Sequence, residues 1–298
     1  MRKRGQLFAA CLLLMAAGGV QAEDKGGPTR SLDRFEADTA VTEGFWVEGM
    51  ASYAQDVIKT PIGDRTTTSV DTGAIRASYG MDMFEAGLTF PFWRHLEVER
   101  RVGGNVQTAG GESQGDVRAF AKVVPIRTEY FDAGAGVSIG FPTGPTDGGL
   151  TTAETTLVPG NAKAQSLLPM NSLQTGTGKF NFTPYGMVSA HYGPFELRAH
   201  GGYTFVASHT TTSREVTVYG GGVYYRWTDQ VGFRSEINGG TVHAIGDNPE
   251  LLAWQPGIDV RLPMEGYDLV LRPTGSMGIS DETADWGIGG SVTVWVRP

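Results

Sequence analysis

Lys179–Val206 reads KFNFTPYGMVSAHYGPFELRAHGGYTFV. In its first half Phe180, Phe182, Pro184, Gly186, Val188, Ala190 and Tyr192 take the even positions, and Lys179, Asn181, Thr183, Tyr185, Ser189 and His191 the odd ones. Gly193-Pro194 interrupts. Phe195, Leu197, Ala199, Gly201, Tyr203 and Phe205 then alternate with Glu196, Arg198, His200, Gly202 and Thr204. Successive side chains of a strand point to opposite faces, so this is a hairpin with one apolar and one polar face. A soluble sandwich also alternates. Here the strands are long, with aromatics at the ends of the apolar face and full charges on the polar one. A membrane-crossing β-strand needs ~9–11 residues and puts lipid outside and water inside. The expected fold is all-β: a transmembrane antiparallel up-and-down β-barrel of the bacterial outer membrane.

The start of the chain fits that compartment. Arg2, Lys3 and Arg4 precede the apolar run Leu7–Ala17, and Val20-Gln21-Ala22 has the small-residue pattern of a cleavage site. Residues 1–22 read as a signal peptide, with Glu23 as the first mature residue. The run is too short to span a bilayer as a helix. The single cysteine, Cys11, lies inside it, and the apolar run continues past it, against a lipid anchor. Without Cys11 the mature chain has neither disulfide nor thiolate metal site.

The whole chain carries 24 basic and 32 acidic residues, a formal net charge of −8. Removing three basic residues with the leader makes it more acidic, against a nucleic-acid partner. Beyond the leader no apolar run is long enough for a membrane helix. With 43 Gly and many Thr and Tyr, composition favours strands.

Residues 23–42 are charged and unpatterned, and Ser31 could cap a helical turn through Glu36. Two readings stand: a disordered periplasmic arm, or a short plug entering the barrel. Residues 43–298 form the barrel. Twelve strands are expected: Phe45–Ala54, Val70–Tyr79, Met83–Trp93, Asp116–Val124, Asp132–Phe141, the opening pair, Glu215–Trp227 (where alternation is blurred), Val231–His243, Leu252–Leu262, Tyr267–Ile279 and Gly287–Val296. Short connections follow the even-numbered strands and long ones the odd-numbered strands, which puts both termini in the periplasm. Splitting the third strand after Trp93 would break that parity. Pro142–Thr177 is the longest loop and carries the apolar patch Leu167-Leu168-Pro169-Met170. A loop of this size is a pore constriction or external decoration.

Little points to catalysis. The histidines are His95, His191, His200, His209 and His243. There is no paired-His metal spacing, and Ser208-His209 falls in an external loop. No catalytic residue, metal or cofactor is expected. The inward charges are more informative. Arg118, Lys122, Glu196, Arg198, Arg226, Arg234, Glu236, Asp259, Arg261, Asp268 and Arg272 should form one mixed-sign belt near the periplasmic ends of their strands. Such a belt is a salt-bridge network filling the lumen, a selectivity constriction, or both.

Gly115-Asp116, Gly140-Phe141-Pro142-Thr143-Gly144, Gly176-Thr177-Gly178 and Gly202-Tyr203 come in an order that resembles the outer-membrane barrels of the MetA pathway of phenol degradation. The resemblance covers roughly Ser69–Val206. It implies a transporter that admits small molecules, aromatic or hydrophobic ones among them. The expected function is therefore a non-enzymatic outer-membrane channel, with membrane lipid, a small-molecule solute and the barrel-assembly machinery as partners. A lipid-acting enzyme and a closed structural barrel are the alternatives. The chain ends Val296-Arg297-Pro298 where such barrels usually end in an aromatic residue; Trp295 should point inward.

Overall fold

The computed structural model describes residues 39, 41, 43–59, 65–102, 104–144, 180–207, 215–243, 250–280, 283 and 285–296. The expected signal peptide, nearly all of the expected arm, the body of the long loop and His209 lie outside them.

The strands are β1 (Gly44–Lys59), β2 (Arg65–Met81), β3 (Phe84–Val102), β4 (Asn105–Ser113), β5 (Val117–Arg127), β6 (Phe131–Phe141), β7 (Asn181–Tyr192), β8 (Phe195–Val206), β9 (Val216–Arg226), β10 (Val231–Val242), β11 (Glu250–Pro263), β12 (Tyr267–Gly278) and β13 (Trp286–Val296). Each pairs antiparallel with its neighbours, and β1 pairs with β13. β3 pairs with both β2 and β5, so twelve strands close a barrel and β4 stands outside the wall. Closure removes the free edges that lipid could not satisfy.

The expected alternation sets which face meets lipid. Leu197, Leu88, Ile288 and Val292 are exposed, whereas Glu48, Thr183, Asp268 and Lys122 are buried inside. Aromatic side chains mark both membrane boundaries. Tyr192, Phe195 and Trp227 stand at the short-turn end, and Phe182, Phe205 and Trp286 at the other. Gly193 has φ 56°, which an L side chain rarely adopts, and with Pro194 it makes the tight turn between β7 and β8. Trp295 faces inward and donates its indole N–H to the Glu43 carbonyl at 2.8 Å.

Two expectations change. The segment after Trp93 is not a plain loop. β3 runs on to Val102 and turns back as β4, while β1 and β2 lengthen beside it. Parity survives because β4 never joins the wall. The transition is a bulge: Gly73 pairs with Trp93 and Ala74 with Pro91, leaving Phe92 as the extra residue. A Cβ on Gly73 would stand 2.9 Å from the Phe92 ring, so this glycine makes room for it. The blurred strand, β9, also has a cause. Its inward positions are themselves apolar: Val216, Val218 and Tyr224 are buried in the interior.

The motif Gly115-Asp116 … Thr143-Gly144 is a clasp at the external rim. Asp116 is fully buried and accepts the Gly144 N–H at 2.8 Å. The Val117 N–H donates to the Thr143 hydroxyl at 2.8 Å, and the Gly115 N–H to the Pro91 carbonyl at 3.1 Å. It ties both ends of the β5–β6 hairpin, and the start of the long loop, to the bulge in β3.

Candidate functional site: the barrel lumen

Glu48 on β1 is the hub of the interior. It accepts from Arg272 Nη1 at 2.9 Å, Ser291 at 2.7 Å and Thr293 at 3.3 Å, and Arg76 Nη1 lies 3.6 Å away. Arg272 also approaches Asp259 at 3.8 Å, and Asp259 lies 3.4 Å from Arg234. Arg76, Glu48, Arg272, Asp259 and Arg234 are thus a run of alternating charge across β2, β1, β12, β11 and β10. Each of the five is at most 5% exposed. Charges taken this far from water persist only when paired, and register puts them side by side.

The remaining inward charges pair more locally. Arg261 meets Asp268 at 2.6 Å and lies over the Trp295 ring, 5.4 Å from its centroid. Arg198 forks onto Glu196 from the same strand and lies over Tyr224 at 5.5 Å. Lys122 stands 3.4 Å from Glu85, which also accepts from Ser78 at 2.9 Å. Arg118 donates to Ser138 at 3.0 Å, Arg76 to Thr89 at 3.1 Å and Arg234 to Thr274. Glu236 is buried beside this set, and the next inward residue, Asn238, donates to Gln255 at 2.6 Å.

Ten of the eleven expected residues therefore face the interior as pairs or networks, but not as one periplasmic belt. Arg118 is the second residue from the external end of β5, and Lys122 lies mid-strand. Barrel strands tilt and stagger, so distance from a turn does not define a common level. Arg226 leaves the set. It is the last residue of β9 and is exposed at the short-turn rim. Glu48, Arg76 and Glu85 are the acids and base that the expected belt omitted. Their alternation with Val47, Ala77 and Ala86 was the available signal.

Several large inward side chains lie flat in slots left by glycine on the next strand. A Cβ on Gly136 would meet the Tyr185 phenol at 2.4 Å, and one on Gly257 the Arg234 guanidinium at 2.5 Å. Gly136→Val is expected to swing Tyr185 toward the barrel axis and lower single-channel conductance in planar bilayers by several-fold. Conductance equal to the parent's would show that Tyr185 finds another resting place along the wall.

On another sector of the wall Tyr185 and Met187 of β7 and Val216 and Val218 of β9 form an apolar cluster. Pairing through Gly202 joins the two halves, since it faces Tyr185 on one side and Val218 on the other. Thr39, just ahead of β1, is buried and hydrogen-bonded to Ser189, one inward position below Met187. The chain entering β1 thus reaches the inner face of β7, several strands away round the ring.

These features define a transmembrane β-barrel of the bacterial outer membrane with an ion-paired lumen. Among solved structures, the chain is similar to the COG4313 outer membrane channel from Pseudomonas putida F1, at 12% identity and TM-score 0.55, over 89% of this chain and 100% of that one. It also matches the KdgM porin, at 9% identity and TM-score 0.47 over 85% of this chain and 99% of that one. A third match is the translocator domain of the autotransporter NalP from Neisseria meningitidis, at 10% and 0.49, over 88% and 91%. No family model matches the chain. No curated relative matches it. At these identities the likeness concerns the fold.

Proposed function

We propose that the protein is an outer-membrane channel for passive passage of small molecules, including those with aromatic or aliphatic surface. The observation that carries this reading is the apolar cluster Tyr185, Met187, Val216 and Val218 inside the barrel. A barrel that passes only hydrophilic solutes has a polar interior. Here one sector of the interior is apolar while another holds paired charges and hydroxyls, so the two sectors match the two parts of a solute with an apolar body. The resemblance to barrels of phenol degradation points to the same class of solute.

Liposome swelling with purified protein tests it. Neutral aromatic solutes should permeate faster than sugars of similar size. Swelling with neither would mark a closed structural barrel, and release of fatty acid from the vesicles a lipid-acting enzyme.

The Thr39–Ser189 contact supports the plug reading of the arm over the disordered one. Deleting residues 23–38 is expected to raise conductance several-fold. A conductance unchanged by the deletion would leave the arm outside the permeation path.

A further inference from the structure

We propose that the outward face of the external β1–β4 sheet binds phosphate groups on the core sugars of the glycolipid that forms the outer leaflet. The wall strands elsewhere are mostly 11–14 residues long, but β1, β2 and β3 have 16, 17 and 19. The excess projects from the external rim. Its outward face continues the lipid-facing face without a break on β2, where Tyr79, Ile75, Asp71, Thr67 and Arg65 share one parity. Tyr53, opposite Asp71, packs on Trp286 at 5.4 Å and marks the membrane boundary. Arg65 lies six residues beyond Asp71 on β2, about 20 Å along a strand at ~3.3 Å per residue. A barrel tilt of roughly 40° makes that about 15 Å above the boundary.

At that height Arg65 stands directly opposite Arg101. Like charges directly opposite across two strands are unfavourable. Arg101 has a partial answer in Glu99 at 2.6 Å. Arg65 donates to the Thr67 hydroxyl at 3.2 Å and has no carboxylate partner among the described residues. Both arginines are exposed, and the surrounding medium at this level is phosphorylated sugar. A phosphate placed between the two guanidinium groups would turn the repulsion into two charge-assisted contacts, with fork geometry suited to it. Nearer the membrane the same face carries Asp71, Glu97 and Glu112 beside His95. Those acids repel the phosphates of the lipid's own sugar backbone, so the site selects phosphates of the core above.

The test uses the full chain purified in detergent, with glycolipid retention read by native mass spectrometry. Four probes are compared: lipopolysaccharide with a phosphorylated core, the same material dephosphorylated, a glycolipid truncated just above lipid A, and inorganic phosphate as competitor. Retention of the phosphorylated form should fall about 5-fold per arginine removed, so ~20-fold or more in Arg65→Gln/Arg101→Gln. Arg127→Gln, at the opposite end of the barrel, should match the parent. Heat-modified gel mobility confirms that each variant is folded. Equal retention by parent and double variant overturns the proposal. So does parent binding of the truncated or dephosphorylated glycolipid as tight as that of the intact one. Displacement by millimolar inorganic phosphate overturns the glycolipid as the ligand and leaves a free-phosphate site.

Discussion

Glu48→Gln should cost the folded barrel about 3–5 kcal/mol, the range for breaking a buried ion pair by removing one partner. Glu48 is wholly buried and answers two guanidinium groups, Arg272 at 2.9 Å and Arg76 at 3.6 Å, besides Ser291 and Thr293. The glutamine keeps the shape and removes the charge. Arg76 and Arg272 then face each other's field with Asp259 as the nearest remaining acid of the run, 3.8 Å from Arg272. Urea unfolding in lipid vesicles measures the loss. The companion variant Glu99→Gln breaks the rim pair with Arg101, whose side chains are 32% and 58% exposed, and should cost ~1 kcal/mol or less. Similar costs for the two variants would mean that water reaches the Glu48 cluster and that its pairs are worth no more than surface ones. Replacing the pair by apolar residues of like volume is a different experiment, since buried pairs contribute little net stability over such residues.

The network also changes what the inward arginines can do. Arg198, Arg234 and Arg272 each have a carboxylate partner, so removing one of them uncovers an acid as well as deleting a base. A shift in ion preference on Arg→Gln substitution would then come with a loss of stability, which a freely solvated charge ring would not show.

Much of the fold was legible because a barrel writes its period into the sequence. Phe195–Val206 shows it plainly: one face of aromatics and small apolar residues, the other with Glu196 and Arg198, and strand limits that match β8 residue for residue. The turn residues and the alternation of short and long connections then set the strand count and the expected direction. β4 was hidden by a bulge. One extra residue at Phe92 shifts the pairing of β3 by one, so the period set by Phe84 and Leu88 is interrupted although the strand continues. The lumen was half legible. Facing follows from parity, but partnership follows from register between strands, and register is a long-range property. Glu48 and Arg272 are far apart in the chain and meet because β1 and β12 both flank β13. Arg226 shows the converse: its parity is inward, but its place at the end of β9 leaves it in water.

Depth in the membrane, as well as facing, should govern substitutions on the outer wall. Val188 lies between Phe182 and Tyr192 on β7, and Val292 midway along β13; both are exposed to lipid, at 40% and 43%. Arginine at either is expected to destabilise the barrel by about 2–4 kcal/mol, the cost near the bilayer midplane. Leu197 is also on the lipid face, at 56% exposure, but it is only two residues from Phe195 at the periplasmic boundary. An arginine there can carry its guanidinium back to the interface along its aliphatic stem, and the expected cost is ~1 kcal/mol or less. The order Val188 ≈ Val292 > Leu197 is what depth in the bilayer predicts for these three positions. Unfolding free energies in vesicles supply the comparison. Three equal costs, or the largest at Leu197, would move the membrane midplane away from the middle of β7 and β13 and undo the placement of the aromatic boundaries.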